Sequence, residues 1–281
     1  MAIDPATSID RVHLTVANLD RAVQFYTDRI GFIQHDRNGR TATMGVEGRP
    51  MLVLHESRTA QRPPRKSTGL YHFAILVPTR VDLARAFRHL IETRTAMTGY
   101  SDHSVSEALY LSDPDHNGIE IYRDRPRDQW PFVNGELQMD SRPLDLPNLI
   151  AEPGSDAAWT GMTAGTRIGH IHLHVAHLEE AERFYRDALG FDFIQRYAGC
   201  ASFLSAGGYH HHVGINTWAG EGAPAPPPGA IGLHHVVFRV SSRDALAAVE
   251  DSLNAARVPY TGNENEIEVE DPSGNQVVIR T

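Results

Sequence analysis

The chain repeats itself, and this limits its architecture more than any other feature. Residues 11–32, RVHLTVANLDRAVQFYTDRIGF, return as residues 170–191, HIHLHVAHLEEAERFYRDALGF, at an offset of 159. GLYHFAILVPTRVDLARAF from Gly69 returns as GLHHVVFRVSSRDALAAVE from Gly232 at an offset of 163, and DPDHNGIEIY from Asp113 as DPSGNQVVIR from Asp271 at 158. Near-constant spacing over three blocks means a duplicated domain with a small insertion in the second copy. Each half divides again. A short strand pattern and then an amphipathic helix pattern occur four times, and two or three short strands follow each. The expected fold is therefore α+β, a βαβββ unit used four times. The helices should open near Asn18, Thr79, His177 and Ser241. Asp20, Asp82 and Asp244 lie near three of these starts, where a carboxylate meets unpaired backbone N–H groups. The expected domains are residues 1–125 and 167–281. Residues 126–166 form a linker rich in Pro, Asp, Arg and Gly that wraps the surface, pinned by Trp130 and Trp159. The tract GEGAPAPPPGA, residues 220–230, can be neither helix nor central strand.

Alternation then sorts the histidines, of which there are 16. In a strand, every second side chain shares a face. Val12, Leu14 and Val16 oppose Arg11, His13 and Thr15, and Ile171, Leu173 and Val175 oppose His170, His172 and His174. Tyr71, Phe73 and Ile75 oppose His72, Val236 and Phe238 oppose His235, and Ile119 and Ile121 oppose Glu120 and Tyr122. The apolar face should pack on the helix of its own unit, and the other should line the hollow of a curled sheet. One strand histidine alone is most often a hydrogen-bonded or surface residue. Here the same face carries a histidine on the first strand of all four units, and Glu120 joins it from the last strand of the second. Two imidazoles and one carboxylate on rigid strands make the facial triad that binds non-haem Fe(II) and leaves positions open. Extending the same alternation through Tyr209–Asn216 puts His210 and His212 in the hollow and His211 against the helix. Tyr110, paired with the Glu120 strand across an Asp-Pro and Asn-Gly turn, can reach a ligand on the metal.

Charge and composition exclude other classes. The net charge of −9 disfavours nucleic acid, which needs clustered Lys and Arg. A single cysteine, Cys200, rules out an internal disulfide framework and fits a reducing, cytoplasmic compartment. No run has the apolar length of a membrane span, and MAIDPATSID lacks the regions of a signal peptide.

The blocks GLYHFAILVP, DHSVSEALYLSDPDHNGIEIY and SAGGYHHHVGINTWAG resemble the vicinal oxygen chelate superfamily, which includes glyoxalases, bleomycin-resistance proteins and dioxygenases. Within it, the nearest resemblance is to extradiol ring-cleaving dioxygenases of the CatE-type catechol 2,3-dioxygenase group. The resemblance covers nearly the whole chain. It implies two glyoxalase-like domains, each a curled mixed sheet forming a cup with helices outside. It also implies Fe(II), with Mn(II) as the alternative, and a catechol-type substrate cleaved beside its diol with O2. The implied metal ligands are His172, His72 and Glu120. The implied catalytic residues are His212 as general base and acid, with His103 and Tyr110 bonding the substrate oxygen or the ring-opening intermediate. Neither half carries the whole set, because Val278 stands where Glu120 does. The favoured pairing therefore joins the second and third units, leaving the first and fourth with His13 and His235. Pairing of the first and second units, with His13 as ligand, is the other option. The competing readings are a glyoxalase or thiol-transferase type using Zn, Ni or Mn, and a non-catalytic drug-binding module. The expected partners are a small catechol-like molecule and O2, with no nucleic acid and no membrane. Homo-oligomerisation stays open.

Overall fold

The computed structural model describes residues 2–281. The fold is mixed α+β, with two curled sheets and few helices. The first quarter holds β1 (Ser8–Val16), α1 (Leu19–Phe25), β2 (Ile33–Asn38), β3 (Thr41–Val46) and β4 (Arg49–Glu56). The second holds β5 (Gly69–Leu76), α2 (Arg80–Glu92), β6 (Met97–Asp102), β7 (Ser106–Ser112) and β8 (Gly118–Asp124). Three two-residue strands follow, β9 (Phe132–Val133), β10 (Glu136–Leu137) and β11 (Arg142–Pro143), with the short α3 (Leu146–Ile150). The third quarter is β12 (Arg167–His174), α4 (Leu178–Arg183), β13 (Asp192–Tyr197), β14 (Ala201–Ser205) and β15 (Val213–Asn216). The fourth is β16 (Gly232–Arg239), α5 (Arg243–Ala256), β17 (Tyr260–Asn263), β18 (Glu266–Glu270) and β19 (Gln276–Arg280). The fourfold βαβββ pattern is thus present.

The helix starts follow their caps. The Asn18 side chain accepts from the backbone N–H of Arg21, and the Ser242 side chain from that of Ala245, one residue beyond the expected Ser241. Thr79 and Asp82 form a reciprocal capping box. His177 occupies the fourth cap without a side-chain bond. Both α1 and α4 widen into a π turn, Tyr26–Ile30 and Phe184–Ala188. There the repeat hides a polar anchor in each half. The Tyr26 hydroxyl donates to Asp113 at 3.0 Å, and the Tyr185 hydroxyl donates to Asp271 at 3.1 Å. Each carboxylate also accepts from two backbone N–H groups and from the amide of Asn117 or Asn275. Burial drives both tyrosines well above their ordinary range, and it also raises both carboxyls despite these bonds.

The chain divides into two compact units that are not consecutive halves. One comprises residues 1–15, 60–71 and 169–281, and the other 16–59 and 72–168. In the first, β1 pairs antiparallel with β16, with His13 opposite His235, and the two rings stack at 3.8 Å. The leading strand of the first quarter therefore joins the fourth quarter, as the first-plus-fourth pairing requires. Beyond β16 the order runs β19, β18, β17, and a separate run is β12, β15, β14, β13. In the other unit, β8 lies between β5, parallel to it, and β7, antiparallel to it. The cores of both units are aliphatic and aromatic side chains on the inward faces of these strands, such as Val12, Leu14, Phe73, Ile75, Ile171 and Leu173, all fully buried.

The linker is anchored as its tryptophans suggest. The Trp130 indole donates to the Arg125 carbonyl at 2.9 Å, and Trp159 stacks on His89 at 4.5 Å. Among the described residues, no helix is long and apolar enough to cross a membrane.

Candidate metal centre

The register of β8 decides where Glu120 points. It pairs with Ala74 on β5 and with Tyr110 on β7. His72 lies two residues before Ala74, so period two brings it to the same face. Its Nε2 is 3.0 Å from a Glu120 carboxylate oxygen, and both side chains are buried. A buried carboxylate is costly to desolvate unless a cation or donors compensate it. A buried histidine–carboxylate pair on two rigid strands therefore suits a cation-binding site. His72 and Glu120 each present one ligand atom on that face, and His170 on β12 is a further buried imidazole. All three residues are buried. Imidazole and carboxylate donors suit divalent first-row metals, and three such donors leave coordination positions for other ligands. The residues therefore fit a metal ion.

His172 has a different setting. It stands two residues further along β12, on the same face as His170 by alternation, amid aromatic rings: Tyr71 at 5.2 Å, Trp218 at 5.3 Å and Phe203 at 5.8 Å. Sequence reasoning passed over His170 in favour of His172. Alternation puts both on one face, and the repeat offset matches His172, not His170, to a histidine, His13.

Tyr110 and His103 lie together beside His72. The Tyr110 ring is 5.6 Å from that of His72, and its hydroxyl is 2.7 Å from His103 Nε2. His103 Nδ1 lies 2.8 Å from the Asp140 backbone carbonyl. A carbonyl only accepts, so Nδ1 carries the hydrogen, and in the neutral ring Nε2 is the acceptor. The Tyr110 hydroxyl therefore donates to His103. The linker residue Asp140 thus fixes the tautomer that holds the tyrosine.

His212 has the opposite tautomer. Its Nδ1 accepts the Ala206 backbone N–H at 3.2 Å and is 3.1 Å from the Ser205 hydroxyl. A backbone N–H only donates, so the hydrogen of the neutral ring sits on Nε2. Its backbone is held on both sides, His212 N–H to the Leu204 carbonyl and Ile171 N–H to the His212 carbonyl. The neighbouring His210 and His211 share a 2.8 Å contact between their Nδ1 atoms. The His211 ring lies 4.1 Å from that of His170 and 4.8 Å from Phe203. Regular strand begins only at Val213, so period two does not extend back through these histidines, and His211 turns towards His170 instead of a helix.

Comparison with known proteins places this geometry. The profile of the glyoxalase/bleomycin resistance protein/dioxygenase superfamily matches residues 8–121 and 167–279. The chain belongs to that superfamily. It is 44% identical over 275 residues to a catechol-2,3-dioxygenase of Bacillus subtilis (strain 168), covering 96% of each chain. That end-to-end identity makes it an enzyme of the dioxygenase type, and a dioxygenase of this superfamily implies a metal cofactor. A crystal structure from Bacillus subtilis subsp. subtilis str. 168, provisionally assigned as a dioxygenase, superposes with a TM-score of 0.66 at 14% identity. It covers 100% of this chain and 86% of that one. Glyoxalase I from Zea mays gives 0.59 at 14% identity, covering 98% and 92%. At such identities these two structures speak for the fold alone.

Proposed function

We propose that this superfamily member is a cytoplasmic extradiol dioxygenase. It would cleave a catechol-type molecule beside its diol, inserting both atoms of O2 to give a 2-hydroxymuconic-semialdehyde-type product. The observation that carries this reading is the buried His72–Glu120 pair, which with a β12 histidine, His170, would give two neutral donors and one anion, the donor chemistry that suits Fe(II) and leaves room for a chelating diol and O2. Bound there, ferrous iron would supply Lewis acidity towards the diol oxygens and the electrons that activate O2.

The protein residues divide the remaining work. Glu120 supplies the single negative charge that offsets part of the charge of a divalent ion. The Tyr110 hydroxyl hydrogen is committed to His103 Nε2, so towards a substrate hydroxyl the oxygen acts as acceptor, taking its proton as His103 takes the tyrosine's own. His212, with its hydrogen on Nε2, serves as a donor to oxygen, and its Nδ1 bonds hold that orientation. It becomes a base only after giving up this proton. A glyoxalase-type centre with a further carboxylate from the third quarter is disfavoured, because β15 reads Val213–Gly214–Ile215–Asn216 and offers none.

The test is oxygen uptake and appearance of a yellow product when anaerobic, iron-loaded protein meets catechol and air. The reading predicts one O2 consumed per ring opened. Iron-loaded protein that binds catechol but consumes no O2, or activity supported by Zn equally well, would overturn it.

A further inference from the structure

The residues before β1 fold back over the third and fourth quarters. Ile3 is buried, and its N–H donates to the Gly190 carbonyl at 2.8 Å. Asp4–Thr7 then makes a tight turn. The Thr7 N–H donates to the Asp4 carbonyl at 3.0 Å, and Pro5 takes the second position, which its fixed φ favours. The Asp4 carboxylate both shapes this turn and anchors it. One oxygen accepts the Ala6 N–H at 2.9 Å, and the other accepts the Ser241 N–H at 2.6 Å, just ahead of α5. A cleft of about 360 Å3 lies between the turn and α5, lined by Ile3, Leu189, Ala245 and Ser252 among others, and the Asp4–Ser241 bond bridges it.

On its other side the turn meets the loop that carries the histidines. The Pro5 carbonyl rests on Gly207. A Cβ at Gly207 would lie 2.2 Å from that oxygen, so this approach requires glycine. Gly207 and Gly208 have φ of 60° and 67°, and the Tyr209 N–H donates to the Ala206 carbonyl at 3.3 Å. Positive φ at both central positions is strained for other residues. Two glycines bring no side chain to pack this loop, and the Pro5 carbonyl supplies a stop in its place. Ala206, where the loop begins, gives its N–H to His212 Nδ1. A continuous path thus runs from the start of α5 through Asp4, the Pro5 carbonyl, Gly207 and Ala206 to the His212 ring, all within one compact unit.

We propose that the Asp4–Thr7 turn is a positioning element for His212, with Asp4 as its anchor. The inference rests on the reading of His212 as a proton donor to oxygen and deepens it. Without the anchor the turn withdraws from Gly207, and the two glycines, the residues least restricted in φ and ψ, take up other conformations. The Ala206 N–H moves with them. His212 Nδ1 then loses the donor that keeps it unprotonated, and the hydrogen distributes over both ring nitrogens. The Ser205 hydroxyl stays beside Nδ1, so the loss is partial. Asp4 acts through His212 and is not itself catalytic.

The experiment uses full-length wild type, Asp4→Ala, Asp4→Asn, Gly207→Ala and Ser252→Ala. The first readout is the NMR spectrum of isotope-labelled imidazole nitrogens, with Zn(II) loaded in place of iron and His212 assigned by its loss in His212→Gln. The second is kcat and KM for catechol with Fe(II), together with metal content. Wild type should show His212 Nδ1 unprotonated and Nε2 protonated. Asp4→Ala and Gly207→Ala should move both signals towards a mixture of tautomers. They should lower kcat about five- to tenfold, a fraction of what a fully misplaced catalytic group costs, with KM and metal content unchanged. Asp4→Asn keeps an acceptor oxygen for the turn and should recover part of the loss. Ser252→Ala, in the same cleft but off the path, should match wild type. The two Asp4 variants carry the test if Gly207→Ala does not fold. Wild-type nitrogen signals in Asp4→Ala, or a fall in metal content that accounts for the fall in kcat, overturns the proposal. Moved signals with an unchanged kcat overturn the catalytic role of His212 and leave the coupling standing. The spectra are read without substrate, so they decide the coupling even for a protein that opens no ring.

Discussion

Replacing Glu120 by Gln separates the structural role of the carboxylate from its metal-binding role. In the folded chain Glu120 lies 3.0 Å from His72 Nε2, both nearly fully buried. Glutamine keeps the shape, and its carbonyl can still accept from the ring. The metal-free protein should therefore lose little stability, within about 1 kcal/mol, since glutamine keeps a polar oxygen of the same shape beside the ring. Metal binding should fail, because the amide carries no charge and is a poor ligand. Wild type at a metal concentration a hundredfold above its Kd gains about 2.7 kcal/mol by mass action, which for a chain of this size raises Tm by about 5 °C. Glu120→Gln should show no such shift and no activity. His72→Ala is the contrasting perturbation. It removes one half of a buried pair, so the metal-free protein itself should fall by about 3–5 kcal/mol. The assays are thermal unfolding with and without Fe(II) or Mn(II), and metal content after gel filtration. An unchanged metal-induced shift in Glu120→Gln would refute the assignment of this carboxylate as a ligand.

Tyr110→Phe should retain metal and lower kcat at least tenfold, as expected when an acid–base group is removed; a fall in metal content instead would make it structural. Tyr26→Phe and Tyr185→Phe should each cost about 1.5–3 kcal/mol in urea unfolding, because each removes a buried hydrogen bond to a carboxylate; near-neutral effects would show that the anchors carry no stability. Asp113 and Asp271 have folded values raised above the ordinary 3.8, so the folded state holds their protons more tightly. Their contribution is full below that value and is lost as pH rises through the folded values. Asp113→Asn with Asp271→Asn should therefore flatten that part of the pH dependence of the urea midpoint, and an unchanged profile would contradict the sign.

Much of this was legible in the sequence because period and repeat are backbone properties. Alternation around Glu120 and His72 put both on one face, and the β5–β8 and β7–β8 registers do the same. The cap residues Asn18 and Thr79 announced their helices because short polar side chains compete for backbone N–H groups. What pattern alone could not supply was a choice within a face. His170, His172 and His174 are equivalent under period two, and only the third dimension separates a metal donor from a ring-stacking partner. His211 escaped for a different reason: it lies in the irregular segment just before β15, where alternation has no force. The Tyr26–Asp113 and Tyr185–Asp271 anchors left a signal in the matched repeat positions, but nothing in pattern alone joins residues 87 and 86 apart.

The union of β1 with β16 bears on how the chain must be made. Residues 8–15 leave the ribosome early, yet the strand that they hydrogen-bond begins only at Gly232. The edge of β1 that takes β16 must wait, open and in need of protection, while all of the intervening chain is made. Severing the gene in the middle would strand each fragment without a piece of its own compact body. Separately expressed halves should recover their fold only when mixed.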